Sequence, residues 1–186
     1  MKPLTPLLTP LLILLASAAA QAADVAPRDR IEHGRYLVAT SGCMDCHTPL
    51  KMTPQGPAPD MSRMLSGHPQ ELVITAPVAP PAGPWLAVTA VTATAFSGPW
   101  GVSFSANLTP DVETGLGRWS EIDFVQTIRT GRHLGRGRPV LPPMPIPVYS
   151  QMTDDDLKAV FAYLKTLPPI RNKVPDVLPP LAPAQQ

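Results

Sequence analysis

Proline restricts the folding of this chain more than any other feature. Twenty-six of its 186 residues are proline, and each one fixes φ and removes a backbone donor. A continuous sheet cannot be laid through such a sequence, so much of the chain is expected to be irregular. The length suits one domain with long loops. Regular structure is expected where apolar residues recur at helical spacing, and three stretches meet that condition.

In the first, Asp29 and Glu32 have the spacing of a capping box. This predicts a helix from about Arg30 to Ser41, with Gly42 as its stop. Ile31, Gly34, Leu37 and Val38 fall near one face. Gly34 weakens a helix relative to alanine. A second helix packed close against it would account for it; a merely tolerated glycine is the plain alternative. In the second stretch, Ser120 caps a helix with Glu121 and Asp123 in its first turn. Ile122, Phe124, Val125 and Ile128 supply the apolar face, and Gly131 ends it. In the third, Thr153 caps a helix whose first turn carries Asp154, Asp155 and Asp156 at the positive end of the dipole. Leu157, Val160, Phe161 and Leu164 form its face, and Pro168-Pro169 stops it. The expected class is mostly α, with about three core helices and long Pro-rich loops.

The segments between these helices read differently. Prolines at 49, 54, 57, 59 and 69 predict a loop from Thr48 to Pro69. Leu72 to Pro110 contains no charged residue. Ala76 to Pro84 should be extended, and Trp85 to Phe96 predicts one or two short strands, hence a small β-hairpin insertion at about 70–105. Gly83-Pro84-Trp85 recurs as Gly98-Pro99-Trp100, two similar turns expected to flank that hairpin. The insertion is read either as a flap or docking surface, or as a neutral unit packed on its own domain, the ordinary outcome because large exposed apolar patches are exceptional. Asn107-Leu108-Thr109-Pro110-Asp111 and Thr114-Gly115-Leu116-Gly117 are turn signals. A Pro-rich tail, 171–186, either wraps the surface or is disordered.

Chemistry enters with the only two cysteines, in Cys43-Met44-Asp45-Cys46-His47. Cys-x-x-Cys-His is the attachment signature of a c-type haem. Two thiols three residues apart can each add to one haem vinyl group, and His47 then brings an imidazole to the iron. The alternatives are a redox dithiol, which expects a βαβ setting absent here, and a zinc half-site, which lacks a second cysteine pair. One covalent haem c is therefore the expected cofactor, with Cys43, Cys46 and His47 holding it.

The opposite ligand is sought among methionines and histidines. Pro142-Pro143-Met144-Pro145 grips a methionine between residues of restricted φ. Methionine opposite histidine is the cytochrome c arrangement, which makes Met144 the expected distal ligand and metal site. The alternatives are a gap-filling Met144 and a bis-His haem using His68 or His133. Met52, Met61 and Met64 lie in the loop after the motif, where packing is their ordinary use. Gly131 to Arg138 carries Arg132, Arg136 and Arg138, read as a solvated positive surface or a partner for a haem propionate.

Residues 1–22 read as a secretory signal. Lys2 is the positive region, Leu7 to Ala20 the apolar run, and Ala20-Gln21-Ala22 fits the cleavage rule, with maturation at Ala23. The run is short and interrupted for a membrane span, an uncleaved anchor being the alternative. Net charge is +1, and no basic stripe points to nucleic acid. The expected domain spans 23–170.

Three helices around Cys-x-x-Cys-His with a later methionine loop resemble the class I cytochrome c fold, over about residues 29–50 and 106–168. That resemblance implies that the first and last helices cross near the haem, and Gly34 and Tyr163 fit the contact pair. It also implies a tryptophan just before the middle helix that donates to a haem propionate, the position of Trp119. Asn107–Asp111, Thr114–Trp119 and Pro143-Met144-Pro145 are similar to the haem modules of bacterial periplasmic dehydrogenase cytochrome subunits. Those subunits often carry two or three modules; this chain has one motif, and its neutral insertion departs from the shortest members.

The expected function is periplasmic electron transfer from a dehydrogenase to a downstream cytochrome or oxidase, by a carrier that is not itself an enzyme. Contact with a membrane is expected only through a retained leader or a partner. The alternatives are a haem subunit of a membrane-associated dehydrogenase complex and a five-coordinate haem sensor or peroxidase.

Overall fold

The computed structural model of the chain describes residues 27–80 and 83–181. The proposed leader, residues 1–22, lies outside them, as does the end of the tail. Along the chain come α1 (Pro27–Thr40), α2 (Cys43–His47), β1 (Leu50–Thr53), β2 (Gly56–Pro59), β3 (Val88–Thr89), β4 (Ala95–Gly98) and β5 (Gly101–Phe104). There follow α3 (Glu121–Thr130), α4 (Ile146–Tyr149) and α5 (Asp154–Leu164). Single 3₁₀ turns stand at Met61–Arg63 and His133–Gly135. The helices carry the core and the strands form two small sheets.

Three helices build that core. Val38 of α1, Phe124, Val125 and Ile128 of α3, and Leu157, Val160, Phe161 and Leu164 of α5 pack into one cluster. Phe124 and Phe161 meet at 5.4 Å between ring centroids. The crossing of α1 and α5 depends on Gly34. A Cβ there would stand 1.9 Å from the Ala159 carbonyl oxygen and 2.9 Å from Tyr163 Cβ, so close approach is the reason for this glycine.

Local chemistry sets the helix ends. Ser120 accepts from the Asp123 amide while Asp123 accepts from the Ser120 amide, a reciprocal cap on α3. Thr153 and Asp156 repeat it on α5. Gly131 ends α3 at φ 63°. Asp29 does not cap α1: the helix starts at Pro27, so Asp29 lies inside its first turn, and Glu32 accepts from Arg35 Nε at 2.8 Å. Ile122 is not part of the buried face. It lies in the first turn at the edge of the stripe and is 72% exposed. α5 ends at Leu164, with Lys165 as its cap, before the prolines are reached.

The loop expected at 48–69 holds a hairpin. β1 and β2 pair antiparallel from Leu50↔Pro59 to Thr53↔Gly56. Pro57 and Pro59 are two residues apart, so their missing donors fall on one edge of β2, where strands tolerate proline. The neutral insertion forms an antiparallel three-stranded sheet in the order β3-β4-β5, one strand more than a hairpin. Gly98 pairs with Gly101, so Pro99-Trp100 make the β4–β5 turn rather than flank the unit. Trp85 of the other copy is exposed.

The tail is tied down as far as Leu178, which exchanges backbone bonds with Val102, each 3.0 Å. Asn172 is fully buried. No helix of the described residues is long and apolar enough to cross a membrane.

Candidate functional site

One cavity of about 440 Å³ brings together Cys43, Cys46, His47, Trp119 and Met144, a size in the range of cofactor sites. The first three arrive on α2, a single turn launched by Gly42 in the left-handed region at φ 75°. Trp119 comes from the turn before α3. Its backbone N–H donates to Leu116 O at 3.1 Å, and the same turn is tied to α5 by Lys165 Nζ, which donates to Gly117 O at 2.7 Å and Leu116 O at 3.0 Å. Met144 follows the Pro142-Pro143 peptide, which is cis, and packs against the core.

His47 is buried, and its Nδ1 lies 2.8 Å from Ala106 O. A carbonyl only accepts, so Nδ1 carries the proton and Nε2 keeps its lone pair. Burial pushes the His47 pKa down, against the opposing pull of the Ala106 bond. The ring is thus held neutral and fit for metal ligation, oriented by a backbone partner as ligating histidines are. Both cysteines are free thiols. Burial pushes Cys43 up to about 11, with Asp45 and Cys46 adding to the shift. Burial and then Asp45 raise Cys46. A reactive dithiol needs its thiolate stabilised, and here the surroundings do the reverse. Among the described residues no group of three or more His, Cys, Asp or Glu side chains is placed to hold a metal ion by itself, whereas a structural zinc takes four such ligands.

The two histidines weighed as distal ligands differ in place. His68 is fully buried outside the cavity lining. Its Nδ1 meets Thr94 Oγ1 at 2.9 Å and its Nε2 donates to Leu72 O at 2.8 Å, so both nitrogens are engaged. His133 lines the cavity, exposed to solvent, and meets Trp119 edge to face at 5.0 Å. Met52 and Met61 are exposed, and Met64 packs against the core.

Much of the wall comes from residues that the sequence did not single out. Phe96, Ser103 and Phe104 of the neutral sheet face the cavity, and Ser103 Oγ donates to Pro142 O of the methionine loop. Tyr149 on α4 lines it and donates to Ser41 O. Val174 and Val177 of the tail complete it. The tail is held by Asn172: Nδ2 donates to Ser66 O at 2.7 Å and His68 O at 2.9 Å, and Oδ1 accepts from Gln70 N at 3.0 Å. Only the polar residue types of this knot could have signalled it beforehand, and such types are common in loops.

The lining fits a haem. It offers a neutral imidazole with a free Nε2, two unpaired thiols beside it, a thioether from a separate loop, and apolar walls.

The chain is 30% identical over 173 residues to the cytochrome c subunit of quinone alcohol dehydrogenase from Gluconobacter oxydans (strain 621H), covering 91% of this chain and 28% of that protein. It is 42% identical over 65 residues to the gluconate 2-dehydrogenase cytochrome c subunit of Pantoea cypripedii, covering 35% of this chain and 14% of the relative. To the fructose dehydrogenase cytochrome subunit of Gluconobacter japonicus it is 26% identical over 166 residues, 87% of this chain and 27% of the relative. The chain spans less than a third of the length of these relatives. No protein-family model matches it. By sequence, then, this chain is similar to the cytochrome c subunits of dehydrogenases.

Proposed function

We propose that the chain is an electron carrier of the class I cytochrome c fold, holding one covalent c-type haem and working beside a dehydrogenase. The observation that carries this reading is the convergence of Cys43, Cys46, His47, Trp119 and Met144 on one cavity, although they span a hundred residues of chain. In this reading Cys43 and Cys46 would hold the haem through thioethers, His47 Nε2 and the Met144 sulfur would bind its iron, and Trp119 would donate to a propionate. When bound, a haem supplies one-electron chemistry whose potential follows axial ligands, burial and hydrogen bonding.

The chain's own residues set those conditions. Ala106 O fixes the His47 tautomer and strengthens its basicity. Phe96, Phe104, Leu157 and Val160 line the cavity with apolar surface, which keeps water out and the local dielectric low. With both His47 and Met144 on the iron, no ligand position would remain for a substrate, which is why the reading is a carrier rather than a catalyst. The likeness to proteins named as dehydrogenase subunits supports a dehydrogenase as electron donor. A downstream cytochrome or oxidase is the acceptor. Export to the periplasm rests on the leader sequence, cleaved near Ala22, and the working domain is 23–170 with the tail laid across it.

A second reading keeps the haem but removes Met144 from the iron, giving a sensor or peroxidase. His133 is its observation, because it lines the same cavity.

The test is the optical spectrum of the purified holoprotein, oxidised and reduced, beside Met144→Ala and Cys43→Ala/Cys46→Ala. Haem that stays with the wild-type polypeptide through denaturation and acid extraction, and leaves the double cysteine variant, supports covalent attachment. A weak near-infrared sulfur-to-iron band that Met144→Ala abolishes supports methionine ligation. A wild-type protein that binds carbon monoxide at once, with a spectrum indifferent to Met144→Ala, overturns the carrier reading in favour of the second.

A further inference from the structure

The loop that carries Met144 has few means of holding itself in place. Of residues 141–145, three are proline, and these donate no backbone hydrogen bond. The Leu141 and Met144 amides donate to no backbone carbonyl among the described residues. Just outside the loop, Val140 N donates to Gly131 O at 2.8 Å, while Ile146 N donates back to Met144 O at 2.9 Å. Pro142, Pro143 and Pro145 are exposed, so packing fixes the outer side of the loop only weakly. A loop so poor in donors is anchored through the bonds that its carbonyls accept.

Among the described residues, one such bond reaches 141–145 from a distant part of the chain: Ser103 Oγ donates to Pro142 O. The hydroxyl has a single proton. Its other acceptor, Phe96 O, lies further off at 3.5 Å, so the proton goes to the loop. Ser103 is 6% exposed and lines the cavity.

The donor is firmly mounted. Ser103 stands on β5, paired with Phe96 of β4. The other edge of β5 is closed by the tail, where Val102 and Leu178 exchange backbone bonds. A Cβ at Gly101 would stand 2.0 Å from Leu178 O, so tail and strand lie in close contact. The tail is pinned in turn by the buried amide of Asn172. A strand held on both edges thus grips a loop that grips little itself.

We propose that Ser103 is a positioning residue for Met144, and that the neutral insertion is a brace that keeps the methionine sulfur on the iron against competing ligands. The proposal rests on the reading that the cavity holds a haem bound by Met144. It gives the uncharged insertion a task within its own domain. Because Pro142 is exposed, water can satisfy its carbonyl once the hydroxyl is removed. The loop then gains freedom without stranding a buried polar group, and the sulfur leaves the iron more readily while the fold survives.

The test titrates imidazole, which competes with the sulfur for ferric iron, into the oxidised holoprotein and follows the weak near-infrared sulfur-to-iron band. Ser103→Ala should raise the apparent imidazole affinity about fivefold, the effect of one net hydrogen bond. It should also lower the reduction potential, which methionine ligation raises. Ser103→Thr keeps the hydroxyl and should restore the wild-type values. Ser103→Val has the shape of threonine without the donor and suits a strand; it should reproduce the alanine result, and it carries the test if the alanine variant fails to fold. The control is Ser97→Ala. Ser97 is 7% exposed on β4 of the same sheet, and its hydroxyl accepts from Val78 N at 2.9 Å and donates to Val78 O at 2.7 Å. It does not line the cavity, so its loss should change neither the titration nor the potential. Equal imidazole affinity in Ser103→Thr and Ser103→Val, or an equal rise in Ser97→Ala, would overturn the proposal. A wild-type protein without the near-infrared band would overturn methionine ligation and this inference with it. A band that is present but indifferent to every Ser103 variant would overturn this inference alone.

Discussion

Asn172→Ala removes one buried amide on which four hydrogen bonds converge. Nδ2 serves Ser66 O and His68 O, while Oδ1 serves Gln70 N and, at 3.1 Å, Arg63 Nη2. Arg63 keeps Glu71 as a partner, but the Gln70 amide and two carbonyls lose theirs in a site with no exposure at Asn172. A stranded buried polar group costs about 1–3 kcal/mol. Three such groups, partly relieved by water entering the space, put the loss at about 3–5 kcal/mol, well above the common point mutation at about 1 kcal/mol. Asn172→Asp sharpens the test. It keeps the shape and the two accepting bonds but sets a carboxylate oxygen against two carbonyls, so it should destabilise at least as much as alanine. The assay is denaturant unfolding, in which the midpoint should fall at constant slope, with hydrogen exchange at Val102 and Leu178 accelerating as the tail loosens. A loss under about 1 kcal/mol for alanine, with unchanged exchange at Leu178, would refute the argument that this amide anchors the tail.

Three further outcomes follow from the same contacts. Gly34→Ala should cost about 1–3 kcal/mol by overpacking the α1–α5 crossing, despite a helix-propensity gain of about 1 kcal/mol; thermal unfolding reads the difference, and a stabilised variant would contradict it. Thr153→Ala should cost about 0.5–2 kcal/mol by opening the α5 cap, measured the same way. The Asp156 carboxyl is held below its usual range by His33 first and then by Thr153. Its folded pKa is depressed, so its contribution is complete above the unfolded value of about 3.9 and disappears as pH falls through the folded one. The unfolding temperatures of wild type and Asp156→Asn should therefore differ at neutral pH and converge in acid; a difference that persists at the lowest pH would show that Asp156 acts otherwise.

What was readable beforehand was local. The caps at Ser120/Asp123 and Thr153/Asp156 each involve residues three apart, and the stop at Gly131 is a property of one residue. The buried stripe of α5 was readable for the same reason, because helical spacing repeats every few positions. Asp29 misled because Pro27 also starts helices, and nothing within four residues decides between the two. The hairpin at 50–59 is hidden in the sequence because proline reads as a breaker, whereas the position of each proline relative to the ladder is what matters.

The sequence by itself determined the chemistry that the chain can bring to a site. Two thiols and an imidazole sit within five residues, and a methionine sits between prolines; their spacing needs no knowledge of the rest of the chain. Only the tertiary structure decided which distant groups meet them. Ala106 O reaches His47 across 59 positions, Ser103 reaches the methionine loop across 39, and Asn172 reaches Ser66 across 106. Such contacts are made by close packing and by the need to pair buried polar groups, and these act on neighbours in space. The neutral insertion and the proline-rich tail therefore read along the chain as a small hairpin unit and an irregular end, yet become walls of the cavity once it is folded.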